Sequence, residues 1–212
     1  MKRPSVIALL ALAIGLATTA RADFGDLESS LSIQAPDLPV AALHAALGAR
    51  ETLLSKGEEL RPLLTVIDYA LPSTAKRMWV FDLESRRLLF NEMVAHGRNS
   101  GGDVAEAFSN QDGSLMTSLG AFVTETTYDG RNGYSLRLRG TEAGLNDRAE
   151  ARGIVIHGAP YVDGEVARAL GRLGRSHGCP ALRPAVARTV IDEIKGHTLV
   201  YAWHPSLTAG LR

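Results

Sequence analysis

The chain has 212 residues, which allows one domain or one domain with a short extension. Lysine plus arginine and aspartate plus glutamate both number 23, so the formal charge is zero, which argues against a nucleic-acid binder held by a broad basic surface. Apolar residues at 45% and charged residues at 22% argue against a disordered or collagen-like chain, and one cysteine, Cys179, excludes an intrachain disulfide.

Residues 1–22 have the pattern of a secretory signal. Lys2 and Arg3 supply the positive start, and Val6 to Ala17 is an apolar stretch shorter than a comfortable bilayer span. Ala20-Arg21-Ala22 is a small-x-small cleavage site. The expected mature chain begins at Asp23, with cleavage after Ala20 or an uncleaved anchor as the alternatives. The residue at the cut is not Cys, so no lipid anchor is indicated. Removing this segment takes away Lys2, Arg3 and Arg21 and no acid, for a net charge of −3. No later segment is apolar enough to cross a membrane. The expected location is the periplasm or cell envelope, with no membrane span in the mature form.

Residues 23–37 are polar and read as a loosely held arm. Val40, Leu43, Leu47, Leu53 and Leu54 have near-helical spacing over 39–55, with Asp37 to cap the start and Gly57 to end it. Leu63–Ile67 is a short apolar strand. Arg77–Leu83 and Arg87–Ala95 flank a Glu84-Ser85-Arg86 turn as a hairpin. Residues 97–114 are a long loop rich in Gly, Ser, Asn and Asp. Ser118–Thr127 and Gly133–Gly140 read as strands around a Tyr128–Asn132 turn, and 141–151 as a polar loop. Arg152–His157 is a strand, 162–172 is helical, and Pro184–Ile194 is a helix that opens on proline and is broken at Gly196. Thr198–Trp203 is the last strand. The strands follow one another without regular intervening helices, so the expected fold is mainly β, mixed or antiparallel, with peripheral helices and an N-terminal helix. An extension over 23–72, a main domain over 73–205 and a tail over 206–212 complete the expected layout.

The chemistry concentrates in His157 to Arg183, which holds the only Cys and two of the six His. A thiol nucleophile needs a base and N–H groups to hold an oxyanion. His157 at a strand end is a fixed platform for a base. Gly178 lets backbone approach a carbonyl. The amides of His177, Gly178 and Cys179 are candidates for the oxyanion hole.

His157-Gly158 followed by Ser176-His177-Gly178-Cys179 resembles the HG…SHGC signature of L,D-transpeptidases of the YkuD type. Val94-Ala95-His96-Gly97 is similar to a strand of that family ending in Gly. Thr117 to Phe122 is similar to its TPxGxF strand, with Ser118 in place of Pro. The likeness covers roughly residues 76–203. The His-to-Cys separation of 22 is longer than usual in the family, which implies an inserted helical turn within 160–174. Ala181 stands where the family often has Arg or Asn, leaving Arg183 or Arg175 to take over that role.

The resemblance implies a mainly β domain that transfers acyl groups on peptidoglycan stem peptides, without a cofactor. It implies Cys179 as nucleophile, His157 as general base and His177 as a residue shaping the oxyanion hole. Ser176 and Gly178 become local supports. Arg175, Tyr161, Asn146 and Arg183 are candidates for contacting substrate. It also implies acylation of Cys179 by carbapenem-type β-lactams.

Three other readings stay open. Water in place of an acceptor amine gives an L,D-carboxypeptidase. His157, His177 and Cys179 would offer three zinc ligands, but the usual Cys pairs and HExxH spacing are absent, so no metal is expected. A cell-wall binding module without catalysis has no need of a Cys between Gly and Pro. Asn110, Asp112, Asp129 and Asn132 are ordinary turn formers, although calcium or sugar ligands would use the same types. His44, His96, His197 and His204 belong to no paired motif.

Overall fold

The structure, a computed structural model, describes residues 24–209. The leader read at 1–22 lies outside them, as does the end of the tail. Residues 24–34 form helix α1, which corrects the loose arm expected there. Phe24, Leu27 and Leu31 recur at helical spacing, and Leu31 is fully buried. Helix α2 spans Val40–Ser55. Asp37 does not cap it: the residue before the first turn is Pro39, whose carbonyl accepts from Ala42 and Leu43 at 2.9 and 3.2 Å, and no side chain caps the helix. Gly57 ends it at φ +87°, a left-handed turn in which the Glu58 N–H reaches back to Leu53 O at 3.1 Å.

Eight strands form one sheet: β1 Leu63–Asp68, β2 Met78–Asp82, β3 Arg87–Glu92, β4 Gly120–Gly130, β5 Gly133–Gly140, β6 Val155–Gly158, β7 Ala181–Leu182 and β8 Leu199–Trp203. Their order is β3-β2-β1-β8-β4-β5-β6-β7. The β1–β8 and β6–β7 pairs are parallel and the rest are antiparallel. The β4–β5 hairpin is tighter than expected, because β4 runs on through Tyr128 and leaves only Arg131 and Asn132 at the tip. The sheet also runs across the boundary drawn at residue 72: β1 belongs to the expected extension, yet lies between β2 and β8.

All six residues of β1 are buried, so both faces of the sheet are covered at its centre. Leu64, Val66, Trp79, Phe81, Val123, Leu199 and Tyr201 turn to one face and pack with α1 and α2. Their alternating neighbours Ile67, Met78, Val80, Phe122 and Val200 turn to the other. There they meet Val190, Ile191 and Ile194 of helix α4 (Pro184–Ile194), which begins on the expected proline. Helix α3 (Gly164–Leu170) lies in the 160–174 stretch where a helical turn was expected. Asp163 caps it by accepting from the Glu165 and Val166 amides, and Gly171 closes it at φ +66°. A small cluster of Ala95, Ala159, Val162, Ala167, Leu173 and Ala181 lies beneath it.

Because Leu31 is fully buried, Leu31→Ala is expected to lower the unfolding free energy by about 2–5 kcal/mol. Urea denaturation is the measurement, and an unchanged midpoint would return α1 to the status of an arm.

Candidate active site

Strand β6, next to the edge strand β7, carries His157 near its C-terminal end. Its backbone pairs with Ser135 of β5 on one side and Ala181 of β7 on the other. The His157 ring is 5% exposed, and its Nδ1–H donates to Gly158 O at 2.9 Å. A carbonyl only accepts, so the proton sits on Nδ1 and Nε2 keeps its lone pair. Burial holds the ring's pKa below the ordinary histidine value, so the free imidazole is neutral near pH 7.

Cys179 is carried on the turn 176–179, which leads into β7 beside β6. Ser176 braces that turn: its Oγ donates to Cys179 O at 2.7 Å and accepts from the Gly178 amide at 3.0 Å. The Gly178 N–H is therefore occupied, which corrects its place in the expected oxyanion hole and leaves the amides of His177 and Cys179 as the candidates. Gly178 adopts φ +124°, and a Cβ there would lie 2.7 Å from Met116 O, so the turn requires glycine. The thiol of Cys179 is 7% exposed and donates to Gly153 O at 3.6 Å. Burial pushes its pKa up, while the Val155 amide and the Arg152 cation pull it down.

The turn is clamped by residues 94–98. Ala95 N donates to Ala181 O (2.9 Å), Ser176 N to His96 O (2.9 Å) and Arg98 N to Ser176 O (2.8 Å). Thr117 Oγ1 accepts from the Gly97 amide at 2.9 Å and donates to Gly178 O at 3.3 Å. Behind the clamp, the fully buried Arg77 donates to Val94 O from Nε and Nη2 (3.0 and 2.8 Å) and to Leu71 O from Nη1 (2.7 Å). Its Nη2 also donates to His96 Nδ1 at 2.7 Å, so His96 is the Nε2–H tautomer. His96 is thereby structural. Burial and Arg77 hold its pKa down at about 4, and burial lowers that of Arg77 to about 10.

Cys179, His157 and His177 line one cleft of about 550 Å³, together with Ser176, Tyr161 and Arg175. His177 is exposed at its rim. Burial and the adjacent Cys179 push the Tyr161 hydroxyl up to about 12, so it stays a donor. Arg175 Nη1 is fixed by Arg98 O (3.1 Å) and Gly101 O (2.7 Å). Two of the expected substrate contacts are corrected. Arg183 forms a bidentate pair with Glu92, at 2.7–3.0 Å, and does not line the cleft. Asn146 is fully buried and ties Leu119 O, Ala121 O and the Glu142 amide together at 2.9–3.0 Å. Its amide fixes the approach to β4.

Three lining residues with polar side chains escaped the sequence reading of the site. Arg131 and Asn132 occupy the β4–β5 tip, brought there by the Ser135–His157 pairing. Arg152 lines the wall beside Gly153. Among the described residues, no group of three or more His, Cys, Asp or Glu is placed to hold a metal ion.

A mixed sheet that sets an HG strand end beside an SHGC turn defines an L,D-transpeptidase-like domain. The model of the L,D-transpeptidase catalytic domain matches residues 34–203, and the chain belongs to that family. No curated protein matches it. Among solved structures it is similar to an L,D-transpeptidase from Mycobacterium smegmatis, at 18% identity and TM-score 0.41 over 68% of this chain and 59% of that one. It is similar to LdtMt1 in complex with imipenem at 17% identity and TM-score 0.41, over 67% and 59% of the two chains. It is also similar to the helical cell shape determining protein Pgp2 from Campylobacter jejuni, at 16% identity and TM-score 0.44 over 72% and 54%. The matched region thus spans less than two thirds of each of these relatives.

The Arg77–His96 contact carries a pH signature. The unfolded chain takes up the His96 proton near pH 6.5, the folded chain only near pH 4. Stability from this group is therefore present above pH 6.5 and lost as pH falls toward 4. Between pH 7 and pH 5 the loss is about 2 kcal/mol. In His96→Gln, which keeps an acceptor for Arg77, that part of the pH dependence is expected to vanish from urea midpoints measured at the two pH values.

Proposed function

We propose that the chain is an exported, cysteine-dependent peptidoglycan L,D-transpeptidase. The observation that carries this reading is the pairing, in one cleft, of a Cys179 thiol with a His157 imidazole whose tautomer leaves Nε2 as a base. The family assignment supports the reaction class. The cleft wall supports the substrate class: Arg131, Arg152 and Arg175 line it and no carboxylate does, which suits the anionic stem peptide. A location outside the cytoplasm rests on the leader pattern of residues 1–22. No helix among the described residues is long and apolar enough to cross a membrane.

In this mechanism both partners start neutral. Burial disfavours the charged form of each, lowering the His157 pKa and raising that of Cys179. As Sγ attacks the carbonyl carbon of the donor stem, the S–C bond forms and His157 Nε2 takes the thiol proton. The amides of His177 and Cys179 hold the oxyanion. Collapse breaks the C–N bond, and His157 returns the proton to the departing amine of the terminal D-residue. An acceptor amine then attacks the thioester, forms the new amide and releases the thiol, again through His157. Water as acceptor gives a shortened stem. A carbapenem-type β-lactam offers the same thiol a strained acyl group whose amine cannot leave, so the acyl-enzyme persists.

Mass spectrometry of defined muropeptides incubated with residues 23–212 tests the reading. Cross-linked dimers are expected with the wild type and absent with Cys179→Ala, and His157→Ala is expected to abolish turnover while remaining folded. Shortened stems without dimers would assign a carboxypeptidase to the same site. No Cys179-dependent product would leave a wall-binding module. A carbapenem is expected to add its full mass to the wild type and nothing to Cys179→Ala. An unmodified wild type would count against an acylable thiol.

A further inference from the structure

Arg152 is half-buried in the cleft wall, and the mechanism above gives it no step. Its Nη1 donates to Ser109 O (2.7 Å) and Ser118 Oγ (2.5 Å). Its Nη2 donates to Ser114 Oγ (3.1 Å) and Met116 O (2.7 Å). All four acceptors are uncharged and all belong to the loop leading into β4. A guanidinium bound this way is fixed in place while its charge stays unneutralised at hydrogen-bond range. The cation stands directly behind the nucleophile's turn, with Nη2 3.5 Å from the point where a Cβ on Gly178 would sit. The next residue, Gly153, accepts from the Cys179 thiol. Arg152 and Gly153 therefore act on one sulfur in opposite senses: the carbonyl favours S–H, and the cation favours S⁻. Ala181 contributes no charge after the cysteine, and Arg183 is engaged by Glu92.

We propose that Arg152 is the positioning residue that stabilises the Cys179 thiolate from behind the Gly178 turn, and that the Ser118 hydroxyl holds it there. Ser118 accepts from Nη1 and donates onward to Ser109 O at 2.9 Å, so it fixes both the cation and the loop. A proline at that place would do neither. The other titratable or charged groups of the cleft and around the sulfur are His157 from β6, Tyr161 after it, Tyr69 after β1, Arg131 from the β4–β5 tip, Arg175 before the turn and His177 within it. Asp112 and Arg148 face Arg152 itself.

The pH profile of Cys179 alkylation by iodoacetamide, followed with thiolate absorbance and melting temperature, tests this without stem peptide. It rests on Cys179 being the reactive thiol of the proposed function. Failure here leaves the peptidoglycan reading standing, and failure of the muropeptide assay leaves this proposal standing. Arg152→Gln is expected to move the profile up by about one unit, so that alkylation at pH 7.5 slows about tenfold. Arg152→Lys is expected to stay within about threefold of wild type, because it keeps the charge, while melting lower for its lost loop bonds. Ser118→Ala is expected to fold and to move the profile in the same direction by less. A purely structural Arg152 would lower the melting temperature and leave every profile on the wild-type curve. That coincidence in Arg152→Gln, or in Ser118→Ala where the glutamine variant does not fold, would overturn the proposal.

Discussion

A charged guanidinium buried to 0% exposure is the constraint on which the cleft is built. Taking Arg77 out of water is costly unless its donors are satisfied. They are satisfied by Val94 O, Leu71 O and the ring nitrogen of His96, with the Tyr69 ring 5.1 Å from the cation. Two of these acceptors belong to residues 94–98, the segment that hydrogen-bonds to both ends of the SHGC turn. The backbone of the Cys179 turn is therefore referenced to the centre of the sheet, through Arg77 at the mouth of β2, rather than to the edge strand β7 alone. That strand has only two residues, too few to fix a turn without help from the other side.

The same economy governs the electrostatics. His157 spends one ring nitrogen on its neighbouring carbonyl and keeps the other free, a tautomer fixed within two residues of chain. Cys179 is held as S–H by the Gly153 carbonyl, and burial reinforces that state. Under the proposed function, a site arranged in this way keeps little thiolate at rest and makes it when a carbonyl is in place to receive the electron pair. Proton transfer to Nε2 and bond formation to carbon then belong to one event, which is the arrangement a general base serves best.

The sequence made some of this legible and hid the rest for definite reasons. The strands other than the two-residue β7, and α2 and α4, were readable because alternation, helical spacing, Gly57 and Pro184 act locally. The HG and SHGC segments were readable because each is a short run whose residue types have few other uses. Helix α1 was also available in the spacing of Phe24, Leu27 and Leu31, but the surrounding polar residues obscured it. Arg183 and Asn146 were misassigned because residue type does not say where a side chain points. One meets Glu92, 91 residues away, and the other closes a loop at residues 119–121. Arg152 was invisible for the complementary reason. Its partners are mainly backbone carbonyls and serine hydroxyls 34–43 residues upstream, which carry no pairing signal in the sequence.

A thiol that must survive before it reacts faces an opposing demand. The thiolate is the species that oxidants attack, and the first oxidised states of cysteine end its use as a nucleophile. A sulfur 7% exposed and kept protonated by burial and by Gly153 is a poor target for them. The same protection would slow the proposed acyl transfer were there no means of reversing it locally. In the function proposed above, two residues lining the cleft would supply that means: the neutral imidazole of His157 to receive the proton, and the pinned Arg152 cation to favour negative charge on sulfur. In the proposed arrangement, protection and reactivity draw on different atoms of adjacent residues, Gly153 O for one and the Arg152 guanidinium for the other, and the balance of these opposing effects sets how much thiolate the sulfur forms.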